Sequence, residues 1–388
     1  MKHIFSVLFA VVALALVGCE EPDNGYGTTP NTTIPSLGTP ADNEIWFTTI
    51  DNFNLMALND EAFDATITDI EYSEFGINVI RFDKTLTTIG EKAFFNCRNI
   101  NNISLPTMVT TIGDSAFAEC IQLECMTIGD KITYCGAKAF DNCISLYSLH
   151  IPSIGDWCRI EFADTFANPL YHCGAFVLNN KKVKDVVIPK WIKEIKPYAF
   201  YNYSQMSSIK FPKSIETIGV DAFAGCEGLS KVDVEDIGAW CKIVFDGETA
   251  NPLSLAGTLY INGQKATTLS LEGVSGISSR AFIRCSSIQT VVAEDIIRIY
   301  DEAFRGCTSL TKVTLGENTK DIYARAFMGC QELNSVTIRA TTPPTLFDTY
   351  VFDYNAAGRT FYVPSSAVEA YKNDICWVEY ADYIKAIQ

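Results

Sequence analysis

Cysteine is the residue type in this sequence whose spacing points most directly to chemistry. Seven of the fourteen cysteines lie three residues after the phenylalanine of an Ala-Phe pair: Cys97, Cys120, Cys143, Cys226, Cys285, Cys307 and Cys330. Thiols repeated at one offset could pair as disulfides, bind metal ions, or pack as small apolar side chains in a repeating structure. The choice among these roles depends on the elements that position them.

Other residues that could support catalysis are few. Cys125 and His150 could act as nucleophile and base, but such a pair also needs a third orienting group and an oxyanion site. Glu161, Asp164 and Asp246 could act as acids or bases, but a glycosidase needs two carboxyls placed around a cleft. We interpret these residues as ordinary structural or solvated groups, and we predict no enzyme activity and no cofactor.

The elements that carry these residues repeat along most of the chain. Ala-Phe pairs recur at steps of 22 or 23 residues, with two longer steps of 59 and 60. A second pattern runs in step with them, with apolar residues at its first, fourth and sixth positions, as in Ile100-x-x-Ile103-x-Leu105. Its first positions are 77, 100, 123, 146, 183, 206, 229, 266, 288, 310, 333 and 358. This period predicts a leucine-rich repeat solenoid.

The expected fold is a strand-dominated α/β solenoid, with a parallel ladder of about twelve coils and short helical turns on its convex side. One coil buries about six apolar side chains, on the order of 10 to 15 kcal/mol. Ordering about 22 residues costs roughly 1.5 kcal/mol each, which is more. A lone coil therefore cannot fold, but stacked coils share their faces, so residues 77–364 are predicted to form one domain.

The repeating unit resembles a known family. The pattern I-x-x-I-G-x-x-A-F-x-x-C-x-x-L-x-x-V-x-I-P, seen from Ile112-Gly113 through Cys120 to Ile128, resembles the BspA-type leucine-rich repeats of Bacteroides surface lipoproteins. Two departures are Tyr203, which occupies a cysteine position, and Ser278-Ser279, which replace the usual Ile-Gly turn region. The resemblance implies adhesion to host matrix or to other bacteria.

Stacking of the coils decides among the roles of the cysteines. Equivalent positions lie about 4.7 to 4.9 Å apart, but their side chains point the same way, whereas a disulfide needs a torsion near 90°. Seven is odd, and Tyr203 cannot form a bridge. The sequence has no C-x-x-C pair, and only His150 and His172 follow the N-terminal segment, so no metal site is predicted. The seven thiols are therefore predicted to form a packed structural ladder, while a disulfide stays open among Cys125, Cys135, Cys158, Cys173, Cys241 and Cys376.

Two longer coils match each other at a constant offset of 83 residues. Trp157 corresponds to Trp240, and Asn168-Pro169-Leu170 to Asn251-Pro252-Leu253. Each ends in a turn signal, Asn179-Asn180 or Asn262-Gly263, which predicts a hairpin. Protruding hairpins could be contact elements. We favour the interpretation that the tryptophans fill the core where the Ala-Phe segment is missing, because the two copies agree so closely.

Outward positions on the strands carry the candidate binding surface. The second variable residue of each pattern and the one between its last two apolar residues should face solvent on the concave sheet. Serine, threonine and asparagine dominate these positions, either because threonine suits solvated strands or because the face binds an extended partner. Few aromatic residues lie there, which disfavours a sugar-binding groove. The candidate binding residues are Ser104, Thr127, Tyr147, His150, Lys210, Lys231, Asp233, Thr314 and Thr337.

The chain begins with the pattern of a lipoprotein signal. Lys2 precedes an apolar run that is too short for a membrane span, and Leu16-Val17-Gly18-Cys19 matches the site at which a signal peptidase cuts before a lipid-modified cysteine. Residues 1–18 are therefore predicted to be the signal peptide and Cys19 the lipidated N-terminus. Residues 19–40 are rich in Pro, Gly, Thr and Asn, which predicts a flexible tether.

Charge and the acidic residues after Cys19 bear on location and partners. Glu20, Glu21 and Asp23 resemble the signal that sends Bacteroides-type lipoproteins to the exterior of the outer membrane. The formal net charge of -16 disfavours nucleic acid and anionic lipid surfaces as partners. We therefore expect a monomer on the outer membrane that faces the exterior and touches the membrane through its lipid anchor only.

Segments that break the period flank the repeats. Residues 41–76 are predicted to cap the first coil. Residues 365–388 are predicted to cap the last coil, with a helix that starts near Ser365 and with Trp377 and Tyr380 for burial. The predicted function is that of a non-catalytic surface protein that binds a protein or another cell-surface macromolecule. The alternatives are an outer-membrane lipoprotein that captures a peptide or glycan nutrient, and a periplasmic scaffold.

Overall fold

Short runs of alternating side chains give each repeat two strands. In one repeat these are Lys312–Leu315 and Asp321–Ile322, in which buried residues alternate with exposed or half-buried ones. The computed structural model describes residues 36–50, 54–73 and 76–388, all of which belong to one unit. The predicted signal peptide, Cys19 and most of the predicted tether lie outside these residues.

The first section of the unit ends at Lys182. Its main sheet has the strand order β12-β11-β9-β7-β5-β1-β3-β2, and its second sheet has the order β10-β8-β6-β4. Its elements are β1 (Glu44–Thr49), a 3-10 helix (Asp60–Ala62), β2 (Ile67–Glu71), β3 (Asn78–Phe82), β4 (Thr88–Ile89), β5 (Ile100–Ser104), β6 (Thr111–Ile112), β7 (Cys125–Thr127), β8 (Tyr134–Cys135), β9 (Ser148–Ile151), α1 (Ile154–Trp157), β10 (Glu161–Phe162), 3-10 helices (Thr165–Ala167 and Pro169–Tyr171), β11 (Ala175–Leu178) and β12 (Lys181–Lys182).

The middle section runs from residue 183 to 265 and has sheets of order β13-β15-β17-β19-β20 and β14-β16-β18. Its elements are β13 (Asp185–Val187), β14 (Glu194–Ile195), β15 (Ser208–Phe211), β16 (Thr217–Ile218), β17 (Lys231–Val234), α2 (Ile237–Trp240), β18 (Val244–Phe245), α3 (Leu253–Ala256), β19 (Leu259–Ile261) and β20 (Gln264–Lys265).

The last section has sheets of order β21-β23-β25-β27-β29-β30 and β22-β24-β26-β28. Its elements are β21 (Thr268–Ser270), β22 (Gly276–Ile277), β23 (Thr290–Ala293), β24 (Arg298–Ile299), β25 (Lys312–Leu315), β26 (Asp321–Ile322), β27 (Ser335–Ile338), β28 (Thr345–Leu346), β29 (Thr360–Val363), a 3-10 helix (Ser365–Ala367), α4 (Val368–Asn373), a 3-10 helix (Val378–Tyr383) and β30 (Ile384–Ala386). No helix among the described residues combines the length and the apolar character needed to cross a membrane.

Pairing within the sections follows the sequence repeat. The strands of successive coils run parallel, and residues one repeat apart lie side by side, as in the row Asn102, Cys125 and Ser148. The predicted parallel solenoid with a dominant strand content is therefore the observed fold. A single core of apolar side chains runs through all three sections.

Pairing at the N-terminal end differs from the simple ladder. We expected the parallel series to start with the strand near residue 77, but β1 lies between β3 and β5 and is antiparallel to both. Parallel pairing in this sheet therefore starts at β5. The physical reason is that β1 buries Ile45 and Phe47 on alternate positions and can add its own row to the core.

The Ala-Phe segments form consecutive turns and not regular helices. The residues two before and two after the phenylalanine have positive φ, for example Lys92 (57°) and Asn96 (61°) around Phe94. Backbone N–H groups donate to the next coil, as from Phe94 N to Ala116 O at 2.7 Å, instead of to a carbonyl four residues earlier. Within each section the phenylalanines of neighbouring Ala-Phe segments thus stack on one another, with ring centroids 5.1 Å apart for Phe94 and Phe117.

Both predicted hairpins are present. In the first, Val177 pairs with Lys182 and Leu178 with Lys181, and the turn residues Asn179 and Asn180 have φ of 51° and 59°. The second pairs Tyr260 with Lys265 around Asn262 and Gly263. Since β11 and β19 also pair parallel with β9 and β17, each long coil adds a strand to the ladder. The main sheets stop after the hairpins, and the second sheets stop at β10 and β18, which precede the hairpins in the same long coils. The long coils therefore divide the ladder into its sections.

Side chains of the long coils replace missing backbone donors. In an ordinary coil the phenylalanine N–H donates to the alanine carbonyl of the next Ala-Phe pair. The first long coil has no Ala-Phe turn segment, since its Ala175-Phe176 pair lies in β11. Trp157 Nε1 instead donates to Ala199 O at 2.7 Å, and Asn168 Nδ2 donates to Tyr198 O at 2.6 Å. Trp240 donates to Ala281 O in the same way in the second copy. Both tryptophans are buried, as predicted for core-filling residues.

Candidate interaction surface

The candidate residues lie in three groups on the outward side of the main sheets, the side away from the core. In the first section Ser104, Thr127 and His150 are neighbours in one row across β5, β7 and β9. In the middle section Lys210 lies beside Asp233, and in the last section Thr314 lies beside Thr337. The rows bring residues within a section together, but these three groups belong to separate sheets.

Exposure on the first section differs from the expectation of a solvated face. Ser104 and His150 are buried, and Thr127 is half-buried with its hydroxyl 2.8 Å from that of Ser36. Trp46 of β1 lies directly opposite Ser104, so that both side chains share one side of the sheet. His150 Nε2 contacts the Ser148 hydroxyl at 3.1 Å. The assignment of these three residues to a binding surface stays a prediction.

The hairpin of the second long coil organises the middle section. Asp233, which we expected to be exposed, is buried because Oδ1 accepts a hydrogen bond from Gly263 N in the hairpin turn at 2.9 Å. Lys231 Nζ lies 3.9 Å from the other oxygen of Asp233 and 4.5 Å from the ring centroid of Tyr260. Lys210, by contrast, is exposed. Asp233 therefore positions the hairpin, and the accessible charges of this face are the ammonium groups and the carboxylate of the exposed Asp185.

The first hairpin repeats this arrangement. Lys182 Nζ donates to the Tyr147 hydroxyl at 2.9 Å and lies 5.0 Å from the centroid of its ring. Tyr147 is half-buried beside β9. Each hairpin thus brings a lysine and a tyrosine together, and the cation–π contact limits the motion of the ammonium group.

The last section has the most regular outward face. Thr314 and Thr337 are half-buried, and the residues directly before and after each of them are buried and apolar. The second outward row of this section consists of Thr268, Thr290, Lys312, Ser335 and Thr360. This face offers hydroxyl groups at the spacing of the strands, about 4.8 Å.

The geometry does not favour the catalytic candidates. Burial raises the pKa of the Cys125 thiol to about 12, so the nucleophilic thiolate is scarce at neutral pH. His150 lies in a different row and pairs in register with Thr127. Asp164 Oδ1 accepts a hydrogen bond from Ala167 N at 2.7 Å and caps a 3-10 helix, while Glu161 lies in β10 of the first section and Asp246 directly follows β18 of the middle section. No group of histidine, cysteine and acidic residues within the described ranges is arranged to hold a metal ion.

The seven repeated thiols lie in the core. All are fully buried, and every cysteine in the part of the chain that the structure describes is free. Cys120 Sγ donates to Phe94 O and Cys143 Sγ to Phe117 O, both at 3.1 Å. Tyr203 at the equivalent position is also buried and donates its hydroxyl to Val183 O at 2.7 Å. The structural role of these thiols stays a prediction, which these contacts support.

Comparison with known families decides the identity of the repeat. The family described as the BspA type leucine rich repeat region matches residues 65–158, 171–249 and 266–375, in six copies. This chain belongs to that family. It is a leucine-rich repeat protein, and such proteins are in general binding scaffolds with extended contact surfaces.

Several solved structures resemble this BspA-type chain. A leucine-rich repeat protein from Bacteroides ovatus is 20% identical over 83% of this chain and 91% of its own, with a TM-score of 0.38. The pneumococcal vaccine antigen PcpA is 15% identical over 74% of this chain and 68% of its own, with a TM-score of 0.34. A leucine rich cell surface protein from Faecalibacterium prausnitzii is 15% identical over 80% and 95%, with a TM-score of 0.34. A comparison with curated protein sequences found no match.

Sequence reasoning missed three residues of the BspA-type ladder face. Lys182, Tyr260 and Lys265 join the outward side only because β11 and β19 pair with the ladder and their hairpins fold back beside it. The turn signals at Asn179-Asn180 and Asn262-Gly263 contained this information. Once the turn is placed, Val177 must face Lys182 and Tyr260 must face Lys265.

Proposed function

We propose that this protein is a lipid-anchored, non-catalytic binding protein of the cell surface. It engages a protein or another cell-surface macromolecule through the outward side of its strand ladder, in the manner of an adhesin. The observation that carries the proposal is the alignment of outward polar side chains in rows, which is most regular in the last section, where a polar row runs without a break from β21 to β29. Such rows present donors and acceptors to an extended partner.

Anchoring and location are proposed from the sequence. The residues before and at Cys19 have the pattern of a lipoprotein signal, and acidic residues follow at once. Acyl chains on Cys19 would hold the protein on the outer membrane, and the acidic residues support export to its outer face. A monomer suffices for this role, because each section carries its own face.

A role without catalysis is supported by the state of the reactive groups. Burial raises the pKa of Cys125, and of Cys97 and Cys226 in the ladder, to about 12. These thiols therefore remain protonated and unreactive near neutral pH. Cys226 Sγ donates to Phe200 O at 3.1 Å and the Cys125 thiol contacts the Ser148 side chain, as expected for packing groups.

Protease treatment of intact cells tests the location. A protease too large to cross the outer membrane should digest this protein while a periplasmic control protein stays intact. If the protein is protected until the cells are lysed, surface binding is excluded and an inward-facing scaffold takes its place.

Adhesion of cells to immobilised matrix proteins tests whether the outward side of the last section binds the partner. The double variant Thr314→Arg/Thr337→Arg places two bulky charges on the outward row of the last section and should reduce adhesion about fivefold or more. A matched control is Thr341→Arg/Thr342→Arg, at two exposed positions after β27. Equal adhesion by the two variants would contradict binding through this part of the ladder.

A further inference from the structure

The outward side of the ladder carries a local concentration of lysines where the two hairpins flank the middle section. Lys210 and Lys231 lie on the outward rows of β15 and β17. Lys182 lies opposite Val177, which aligns with His150 of the outward row, and Lys265 lies opposite Tyr260, which aligns with Asp233. Residues that face each other across strands share one side of a sheet, so all four ammonium groups lie on the outward side. We call these four residues the lysine face.

Three residues of the lysine face lie on one sheet, and Lys182 lies next to that sheet along the chain. Two residues separate β12 from β13, which limits the gap beside Lys182 to about 10 Å. The sections also pack directly there, since Tyr203 donates to Val183 O and its ring lies 5.6 Å from that of Phe176. From β13 to β20 the strands are joined by hydrogen bonds without a break.

The charges of the lysine face are largely uncompensated. Within the described residues, Lys182, Lys210 and Lys265 form no ion pair, and the pair of Lys231 with Asp233 is long, at 3.9 Å. Two carboxylates lie on the same side, Asp185, which accepts from the Ser208 hydroxyl, and Asp233, which accepts from Gly263 N, so the four lysines outnumber them. Lysines on the neighbouring loops differ, because Lys190, Lys193 and Lys196 each lie 2.9 Å from a glutamate oxygen.

The positive charge of the lysine face contrasts with the net negative charge of the whole chain. The chain has a formal net charge of -16, so most of its surface repels an acidic partner. A local positive face on such a molecule attracts and orients that partner, which raises both the rate and the specificity of association. The outward rows of the last section contain two lysines, Lys312 on β25 and Lys385 on β30, which are separated by β27 and β29 and so form no cluster for the same partner.

The kind of partner follows from what lies between the lysines. Val187 is beside Lys210 on β13 and is 59% exposed, an apolar contact point in the middle of the face. An acidic polypeptide supplies both carboxylates and an apolar side chain. A uronic acid polymer supplies carboxylates and would stack its rings on aromatic faces, but Lys182 and Lys231 already lie over the rings of Tyr147 and Tyr260. The observations therefore favour a polypeptide.

We infer that the lysine face, Lys182, Lys210, Lys231 and Lys265 around the exposed Val187, is the docking site for an acidic protein segment. This inference rests on the proposed function, because it names the partner class for the same side of the ladder. It also predicts which section contacts the acidic segment of the partner, and it assigns the loop lysines no part in that contact.

Binding of a fluorescent glutamate-rich peptide that contains one leucine tests the inference with the full lipoprotein in uncharged detergent. We expect binding that weakens as salt rises, because exposed ion pairs are screened. The variant Lys182→Gln/Lys210→Gln/Lys231→Gln/Lys265→Gln should lower the affinity about tenfold. The control Lys190→Gln/Lys193→Gln/Lys196→Gln/Lys213→Gln removes the same charge from the loops and should stay within about twofold.

A second variant keeps the test independent of folding. Val187→Asp changes one exposed side chain, so it should leave the unfolding midpoint unchanged while it weakens peptide binding several-fold. No binding by the unaltered protein, or equal losses in the two lysine variants, would overturn the inference. Binding of polygalacturonate that depends on the lysine face, without peptide binding, would overturn the polypeptide assignment.

These outcomes separate the inference from the proposed function. If the peptide fails to bind but adhesion still depends on Thr314 and Thr337, the lysine face is wrong and the surface role stands. If intact cells protect the protein from protease, the surface role is wrong. Peptide binding by the purified lipoprotein does not depend on that location, so it still tests the lysine face.

Discussion

At the scale of single residues, the repeated cysteine serves as a hydrogen-bond donor as well as a packing group. Cys307 Sγ donates to Phe282 O at 3.0 Å and Cys330 Sγ to Phe304 O at 3.1 Å, so each thiol meets a carbonyl of the preceding coil. Alanine at this position would leave that carbonyl without its sulfur contact. Serine would bring a more polar group into a fully buried position. Cysteine is small, apolar and able to donate weakly, which fits the position.

The burial of the thiols predicts their reactivity. Because burial raises the pKa of Cys97 and Cys226 to about 12, and lifts that of Cys120 well above its usual value, iodoacetamide should modify these thiols very slowly in the native protein. Cys376 is half-buried and should react first. After denaturation without reductant, all cysteines of the repeat should react. Intact mass measurement counts the modified thiols, and several ladder thiols already oxidised in native protein would contradict the structural assignment.

At the scale of elements, the positions of the regular ladder strands were predictable from the sequence, whereas departures from the regular pairing were not. The pattern with apolar residues at positions one, four and six placed the ladder strands between β5 and β29 except β11 and β19, because burial on one side of a strand leaves a period of two in the sequence. The insertion of β1 between β3 and β5 was not predictable, since the repeat carries no information about which strand lies at its end. The outward rows were visible as a pattern, whereas the burial of Ser104 and Asp233 depends on neighbours outside the repeat.

In the long coils, too, the contacts between coils were not predictable from the sequence. The 83-residue offset marked Trp157 and Asn168 as structural residues, but the sequence did not show that they donate to Tyr198 O and Ala199 O. A backbone carbonyl leaves no trace in residue identity, so its partner is found only when the coils are stacked. The hairpins were predictable because Asn-Asn and Asn-Gly favour positive φ, and this local preference needs no tertiary information.

Replacement of the indole donor should destabilise the junction between the sections. Trp157→Phe keeps a buried aromatic ring but removes the donor to Ala199 O, and it should lower the free energy of unfolding by about 1 to 3 kcal/mol. Trp240→Phe should behave alike in the second copy. The matched control is Trp191→Phe, at a position that is 55% exposed, where the change should stay within about 0.5 kcal/mol. Urea unfolding measures these changes, and equal midpoints for Trp157→Phe and Trp191→Phe would refute the bridging role.

Asn168→Ala tests the second donor of the same junction. Asn168 Nδ2 donates to Tyr198 O at 2.6 Å and to Ala199 O at 3.3 Å, so it shares an acceptor with Trp157. The single variant should cost about 1 to 3 kcal/mol. Because the two donors meet at one carbonyl, the double variant with Trp157→Phe should not show the sum of the single losses. Strict additivity in urea unfolding would indicate that the two residues act independently.

At the scale of the whole molecule, the C-terminal residues continue the ladder and also cover it. β30 pairs parallel with β29. Trp377 is fully buried and donates to Pro344 O at 2.7 Å, and the buried Tyr371 donates to Ala340 O at 2.9 Å. The assignment of residues 365–388 as a cap stays a prediction. These contacts support it, because they bring aromatic side chains over the last coils.

Removal of residues 365–388 should expose the edge of β29 and the apolar side chains beneath Trp377. Open parallel edges associate with one another, so the truncated protein is expected to be insoluble. Expression followed by centrifugation and size-exclusion chromatography measures this. A soluble monomer that melts at the same temperature as the full chain would refute the cap.

The junctions after the long coils have a mechanical consequence. Neighbouring coils inside a section are joined by two sets of paired strands, which would carry a pulling force together. Both sets stop at each junction, where indole and amide side chains take over part of the connection. A chain pulled from its two ends in an optical trap should therefore lengthen first by parting at these junctions. It would yield in blocks of several coils and not one coil at a time.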